Sequence, residues 1–159
     1  MSQVNVNIGI GESERSAIAD ALSQLLADSY TLYLKSHNYH WNVTGPHFGA
    51  LHTLFETQYT DLALAVDEIA ERIRALGHRA PGSYAEFAAR TDVAEATVEA
   101  TQAMDMVAAL ATDHQTVARA AARAISVASA AGDEPTAGLA TTRQEIHEKA
   151  AWMLRSYLE

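Results

Sequence analysis

The chain has 159 residues, 48% of them hydrophobic, with eight glycines, three prolines and no cysteine. That length suits one domain with a sizeable core, and so few turn formers argue for helix against a many-turned β fold. The missing thiols exclude disulfides, thiolate zinc sites and cysteine nucleophiles, while a net charge of −9 works against binding nucleic acid or anionic lipid and draws in cations.

Residues 1–11 read as a short arm with neither the basic cluster nor the apolar stretch of a signal peptide. Residues 12–159 read as one helical domain. No run approaches the roughly 20 apolar residues that span a bilayer, so a cytoplasmic protein without membrane contact is expected. Ser13 is the expected N-cap of a first helix, along which Ile18, Leu22, Leu25, Leu26, Tyr30, Leu32 and Tyr33 recur at helical spacing to about His40. Asn42 to Pro46 breaks it, and Pro46 suits the first turn of a second helix. There Leu51, Leu54, Phe55, Leu62, Val66, Ile69, Ile73 and Leu76 form the apolar face, and Gly77 offers a stop. Residues 78–100 are less regular, with room for a short helix around Tyr84–Ala89. A third long helix is expected over 101–130, ending at Gly132, and a fourth from an Asp133 cap, with Pro135 in its first turn, to about Tyr157. Four long helices with one extended link between the second and third have the connectivity of ferritin-like bundles.

The second helix holds the pattern that points to chemistry. His52, Glu56, Asp67 and Glu71 are separated by four, eleven and four residues. At about 100° per residue they fall near 0°, 40°, 60° and 100°, one stripe, and each close pair is a single turn apart. At about 1.5 Å rise per residue the ends of the stripe lie roughly 28 Å apart, so one helix cannot bring all four to one ion. Two copies packed antiparallel about a two-fold axis would bring His52 and Glu56 of one against Asp67 and Glu71 of the other, giving two identical sites per dimer. Ala63 and Ala70 lie near the stripe and permit close approach. Imidazole and carboxylate donors suit iron, manganese or zinc; the alternative is a solvated acidic face. His37 and His40 stand near the end of the first helix. His40 can reach over the bend toward His52, whereas a histidine at position 37 is also what a helix end favours electrostatically.

The run His40-Trp41-Asn42-Val43-x-Gly45, followed by Phe48, Leu51-His52, Phe55-Glu56, Tyr59, Asp67 and Ala70-Glu71-Arg72-Ile73, resembles the Dps family, also called mini-ferritins. The closing run from His147 to Leu154 resembles that family's last helix. The likeness spans about Ile18 to Leu158 and is densest over 37–77. It implies an all-α, ferritin-like four-helix bundle with a short helix in the long link, assembled as a hollow dodecamer of two-fold dimers. It also implies ferroxidase activity: Fe(II) is oxidised, preferentially by hydrogen peroxide, and stored as ferric mineral, which protects against oxidative damage. By position, His40, His52 and Glu56 come from one subunit and Asp67 and Glu71 from its mate; the family often has Asp at the place of Glu56. Zinc is a possible competitor for iron. His37 and His147 are candidate extra ligands, His147 in company with His37 or Asp61, although a partly buried histidine is the favoured reading of His147. Trp41 is read first as interface packing and second as a sacrificial electron donor. Asp133 and Glu134 either line an iron entry pore or serve as helix-start charges.

No glutamate stands three residues before a histidine, so the Glu-x-x-His pairs of larger ferritins are missing. Many members compact DNA through lysines. This chain has only Lys35 and Lys149, and Arg15 is the one basic residue among the first 34, so weak or no DNA binding is expected. The alternatives are a nucleoid-associated protein whose main role is DNA protection, and an unrelated four-helix metalloprotein such as a divalent-metal hydrolase.

Overall fold

The computed structural model describes residues 5–99 and 102–159. Five helices follow in order: α1 Glu12–Asn42, α2 Phe48–Ala75, α3 Tyr84–Arg90, α4 Ala103–Ala130 and α5 Glu134–Arg155. The four long ones form the expected bundle, in which α1 packs on α2 and α4, α4 on α5, and α2 closes on α5. Among the described residues there is no strand, and no helix is long and apolar enough to cross a membrane. The part of the N-terminal arm at residues 1–4 and the expected helix start at 101 lie outside the described residues.

The apolar stripes read along the sequence form the core. Ile18, Leu22, Leu25, Leu26 and Leu32 of α1 meet Leu51, Phe55, Leu62, Ile69 and Ile73 of α2 and Val107, Leu110 and Val117 of α4. Full burial of one such side chain is worth about 1.5–3 kcal/mol, so the stripes outweigh helix propensity in fixing the helices. Alanines 120, 121 and 124 on α4 and Ala140 on α5 are buried and allow close packing.

The helix ends correct three expectations. The N-cap of α1 is Gly11, not Ser13; the first bond runs from the Arg15 amide to the Gly11 carbonyl (2.9 Å). Pro46 lies in the turn before α2 rather than inside it, where the Phe48 amide reaches the Gly45 carbonyl (3.0 Å). The last helix stops at Arg155, before Tyr157. Gly77, at φ +91°, ends α2 as expected: its amide donates to Arg74 and that of His78 to Ile73, the paired bonds of a Schellman motif. Ser83 and Glu86 form a capping box on α3.

The link between α2 and α4 is fastened to α1 from inside. The fully buried Asp28 carboxylate accepts from the Asp92 amide (2.7 Å) and the Thr91 hydroxyl (3.0 Å). Buried Lys35 donates to the Ala94 carbonyl and pairs with Asp113 of α4, both at 2.8 Å. These bonds hold the link along α1 and leave the outward face of α2 uncovered around Asp67.

Candidate functional site

The corner between α1 and α2 brings His40 and His52 together. Buried Tyr39, Val43, Leu51 and Phe55 anchor both sides of it, and Gly45, at φ +102°, makes the reversal that other residues resist. The two imidazoles stack with centroids 3.7 Å apart and planes 18° from parallel. Each Nδ1 lies 2.8 Å from the other residue's carbonyl oxygen. A carbonyl only accepts, so both rings carry their hydrogen on Nδ1, and in the neutral state both Nε2 atoms are lone pairs available to a metal. His40 is buried and His52 half-buried. Glu56 follows one turn after His52 and is exposed.

Asp67 and Glu71 are also exposed, farther along α2. Asp67 borders a groove of about 590 Å³ lined also by Ala63, Val66, Ala70, Tyr84 and Phe87. Within one chain Asp67 and Glu71 do not join the histidines: among the described residues, no three His, Asp or Glu side chains gather closely enough to hold an ion. A single chain therefore keeps the His40–His52 pair, at the corner of α1 and α2, apart from Asp67 and Glu71 farther along α2.

His37 lies between aromatic rings, 4.0 Å from Trp41 and 4.2 Å from Tyr59 by centroid, and 6.2 Å from His40. Desolvation, and then the nearby His40, holds its pKa below the ordinary histidine value. Trp41 is 61% exposed. Tyr59 bridges the group, edge-on to His40 at 5.1 Å; in the sequence it stands two turns after His52, within the motif that carries the family resemblance.

His147 is wholly buried inside the bundle, with Nδ1 2.9 Å from His114 Nδ1 and Nε2 3.2 Å from an Arg143 nitrogen. Asp61 is bound to Arg143 through both oxygens (3.2 and 2.7 Å). Burial drives His114 down to about 3 and His147 well below its usual range, with Arg143 adding to both. The pairing with His114 escaped sequence reading, although His114 continues the apolar row of Leu110 and Val117 and so stood on an inward face. Asp133 serves α5 as its cap: the buried carboxylate accepts from the Thr136 amide (3.1 Å) and from Arg72 (2.8 Å). Burial alone would raise its pKa, but the bonds from Thr136 and Arg72 outweigh that and hold it low.

The comparisons agree with this architecture. The ferritin-like domain matches residues 19–159. A low temperature-induced protein of Nostoc is 39% identical over 158 residues, covering 97% of this chain and 87% of the relative. DNA protection during starvation protein 2 of Bacillus anthracis is 36% identical over 141 residues, covering 89% and 96%. The crystal structure of a Dps protein from Vibrio cholerae, described as a member of a superfamily of ferritin-like diiron-carboxylate proteins, superposes with a TM-score of 0.92 at 30% identity over the full length of both chains. With the bundle, the long link and the His40–His52 corner in place, the chain belongs to the Dps family of ferritin-like proteins.

Proposed function

We propose that this protein oxidises Fe(II), with hydrogen peroxide as the preferred oxidant, and stores the ferric product within a dodecameric shell. The observation that carries the reading is the His40–His52 pair, whose Nδ1 hydrogens are held by carbonyls at 2.8 Å so that two metal-binding lone pairs are set in advance. His40, His52 and Glu56 of one subunit meet Asp67 and Glu71 of a second, arranged antiparallel about a two-fold axis. The carboxylates neutralise Fe(II), the imidazoles complete an open coordination shell, and nitrogen and oxygen donors of this kind suit iron. Peroxide takes one electron from each of two Fe(II) ions; its O–O bond breaks and, with two protons, it leaves as two waters. Delivering both electrons together avoids hydroxyl radical. Zinc accepts the same donors and is expected to inhibit.

The test is the anaerobic rate of Fe(II) oxidation by peroxide in wild type and Asp67→Ala, with particle mass measured alongside. The rate is expected to fall by about tenfold or more in the variant while the mass is unchanged. Equal rates would remove the α2 stripe from the chemistry.

A relative's name points to DNA protection. With two lysines and a net charge of −9, this chain has little with which to neutralise phosphates, and we propose that it does not retain DNA near neutral pH at physiological salt. Retardation of plasmid in a gel at modest protein excess would overturn this.

A further inference from the structure

The bundle core holds a polar layer of four buried side chains, one from each long helix. The Lys35–Asp113 pair ties α1 to α4, and Ser36 and His114 are the residues that directly follow its two partners in the chain. The Asp61–Arg143 pair ties α2 to α5, and Gln58 and His147 each stand about one helical turn from it along their own helices. The His114–His147 contact joins the two halves. Ser36, His114 and His147 are at most 2% exposed and Gln58 is 7% exposed.

The hydrogen positions in this layer follow from Arg143. A guanidinium only donates, so His147 Nε2, 3.2 Å away, accepts and carries no hydrogen. Neutral His147 then holds its proton on Nδ1 and donates it to His114 Nδ1 at 2.9 Å. His114 is thereby left with its proton on Nε2. Among the described residues no atom accepts that hydrogen, and none meets the Ser36 hydroxyl or either end of the Gln58 amide. A buried donor or acceptor left unpaired costs about 1–3 kcal/mol, and these four atoms call for a partner that both accepts and donates.

We infer that the layer is an internal binding site for a water-sized neutral molecule, water itself, which accepts from His114 Nε2 and bridges to the Gln58 amide and the Ser36 hydroxyl. A water needs two to four polar partners to be held in a core, and these residues supply them. The same layer is closed to iron and zinc. Of its four imidazole nitrogens, one accepts from Arg143, two share a proton and the last carries a hydrogen, so no lone pair is free for a metal. Two histidines with the half-buried Asp61 nearby are donor types that suit a metal; Arg143, bound to both Asp61 and His147, converts the set to a hydrated one. This assignment is independent of the interfacial iron chemistry and would stand if that failed.

The test uses the assembled protein at pH 7. In a high-resolution crystal structure soaked with Zn(II), an ordered solvent peak is expected about 3 Å from His114 Nε2, with no anomalous zinc signal at His114 or His147. In Gln58→Leu the solvent peak should weaken or vanish. Solid-state ¹⁵N spectra of histidine-labelled protein should show His147 protonated on Nδ1, as His40 and His52 also are, and His114 protonated on Nε2, the two signals assigned by His147→Phe and His114→Phe. Zinc bound to the pair in wild type, an His114 Nε2 that meets only apolar atoms, or the opposite tautomers would each overturn the inference. Because the wild-type structure and spectra decide the matter, it stays testable even if the variants fail to fold.

Discussion

His114 and His147 begin in water in the unfolded chain and end in a helical core, where charging either ring would forfeit its hydration. Their folded pKa values lie below the ordinary 6.5, that of His114 at about 3. The sign follows directly. Below pH 6.5 the unfolded chain takes up protons that the folded chain refuses, so the stability is fully present above 6.5 and is lost as pH falls from there toward 3. Each ring contributes a slope of up to about 1.4 kcal/mol per pH unit. Asp28 and Asp113, whose pKa values burial raises, act in the opposite sense at lower pH. Chemical denaturation of wild type and a His114→Leu/His147→Leu variant should therefore give a stability difference that shrinks between pH 7 and pH 5. A difference independent of pH would mean that the rings are not held neutral.

At the scale of the helix, α2 and α4 both end in paired bonds around a glycine of positive φ, Gly77 at +91° and Gly132 at +72°. A side chain in that region costs about 1–2 kcal/mol. The two sites differ in their surroundings. A Cβ at Gly132 would meet open space, whereas one at Gly77 would stand 2.8 Å from Val6 Cγ2, which belongs to the arm that Arg15 holds by its bond to the Val6 carbonyl (2.8 Å). Gly77→Ala is expected to lower stability by more than Gly132→Ala, read as the difference in denaturation midpoint. The reverse order would show that the arm does not pack on the end of α2. On α3, Ser83→Ala removes the capping box and should cost about 1 kcal/mol, visible as faster amide exchange over 84–90.

For the whole molecule, the proposed site makes function depend on assembly, because the imidazoles and the Asp67–Glu71 carboxylates stand apart within one chain. Ala63 is exposed and Ala70 half-buried beside Asp67, and small side chains let two helices approach. Ala63→Arg should push copies apart: light scattering should report a smaller particle and peroxide-driven iron oxidation should fall with it, while circular dichroism keeps its helical signature. Full-size particles that oxidise iron at the wild-type rate would place the interface elsewhere. The exposed Leu64, Tyr84 and Trp152 are further apolar surface that an assembly would cover.

The helices and the α2 stripe were legible in the sequence because both are periodic. A 3.6-residue repeat marks the faces of α1, α2 and α4, and four ligand-type residues on one face are visible by counting. The break at 42–47 and the stops at Gly77 and Gly132 were legible for a related reason, since turn chemistry is local. Helix starts were less so: Gly11 caps α1 without a side chain, and nothing local distinguishes it from Ser13. What only the tertiary structure decided were contacts between residues far apart in the chain. The His114–His147 pair, the Arg143 bond that sets its protons, the Lys35–Asp113 tie and the mutual bonds of His40 and His52 depend on the register of one helix against another. That register is set by the packing of the whole core, which no local window of the sequence contains.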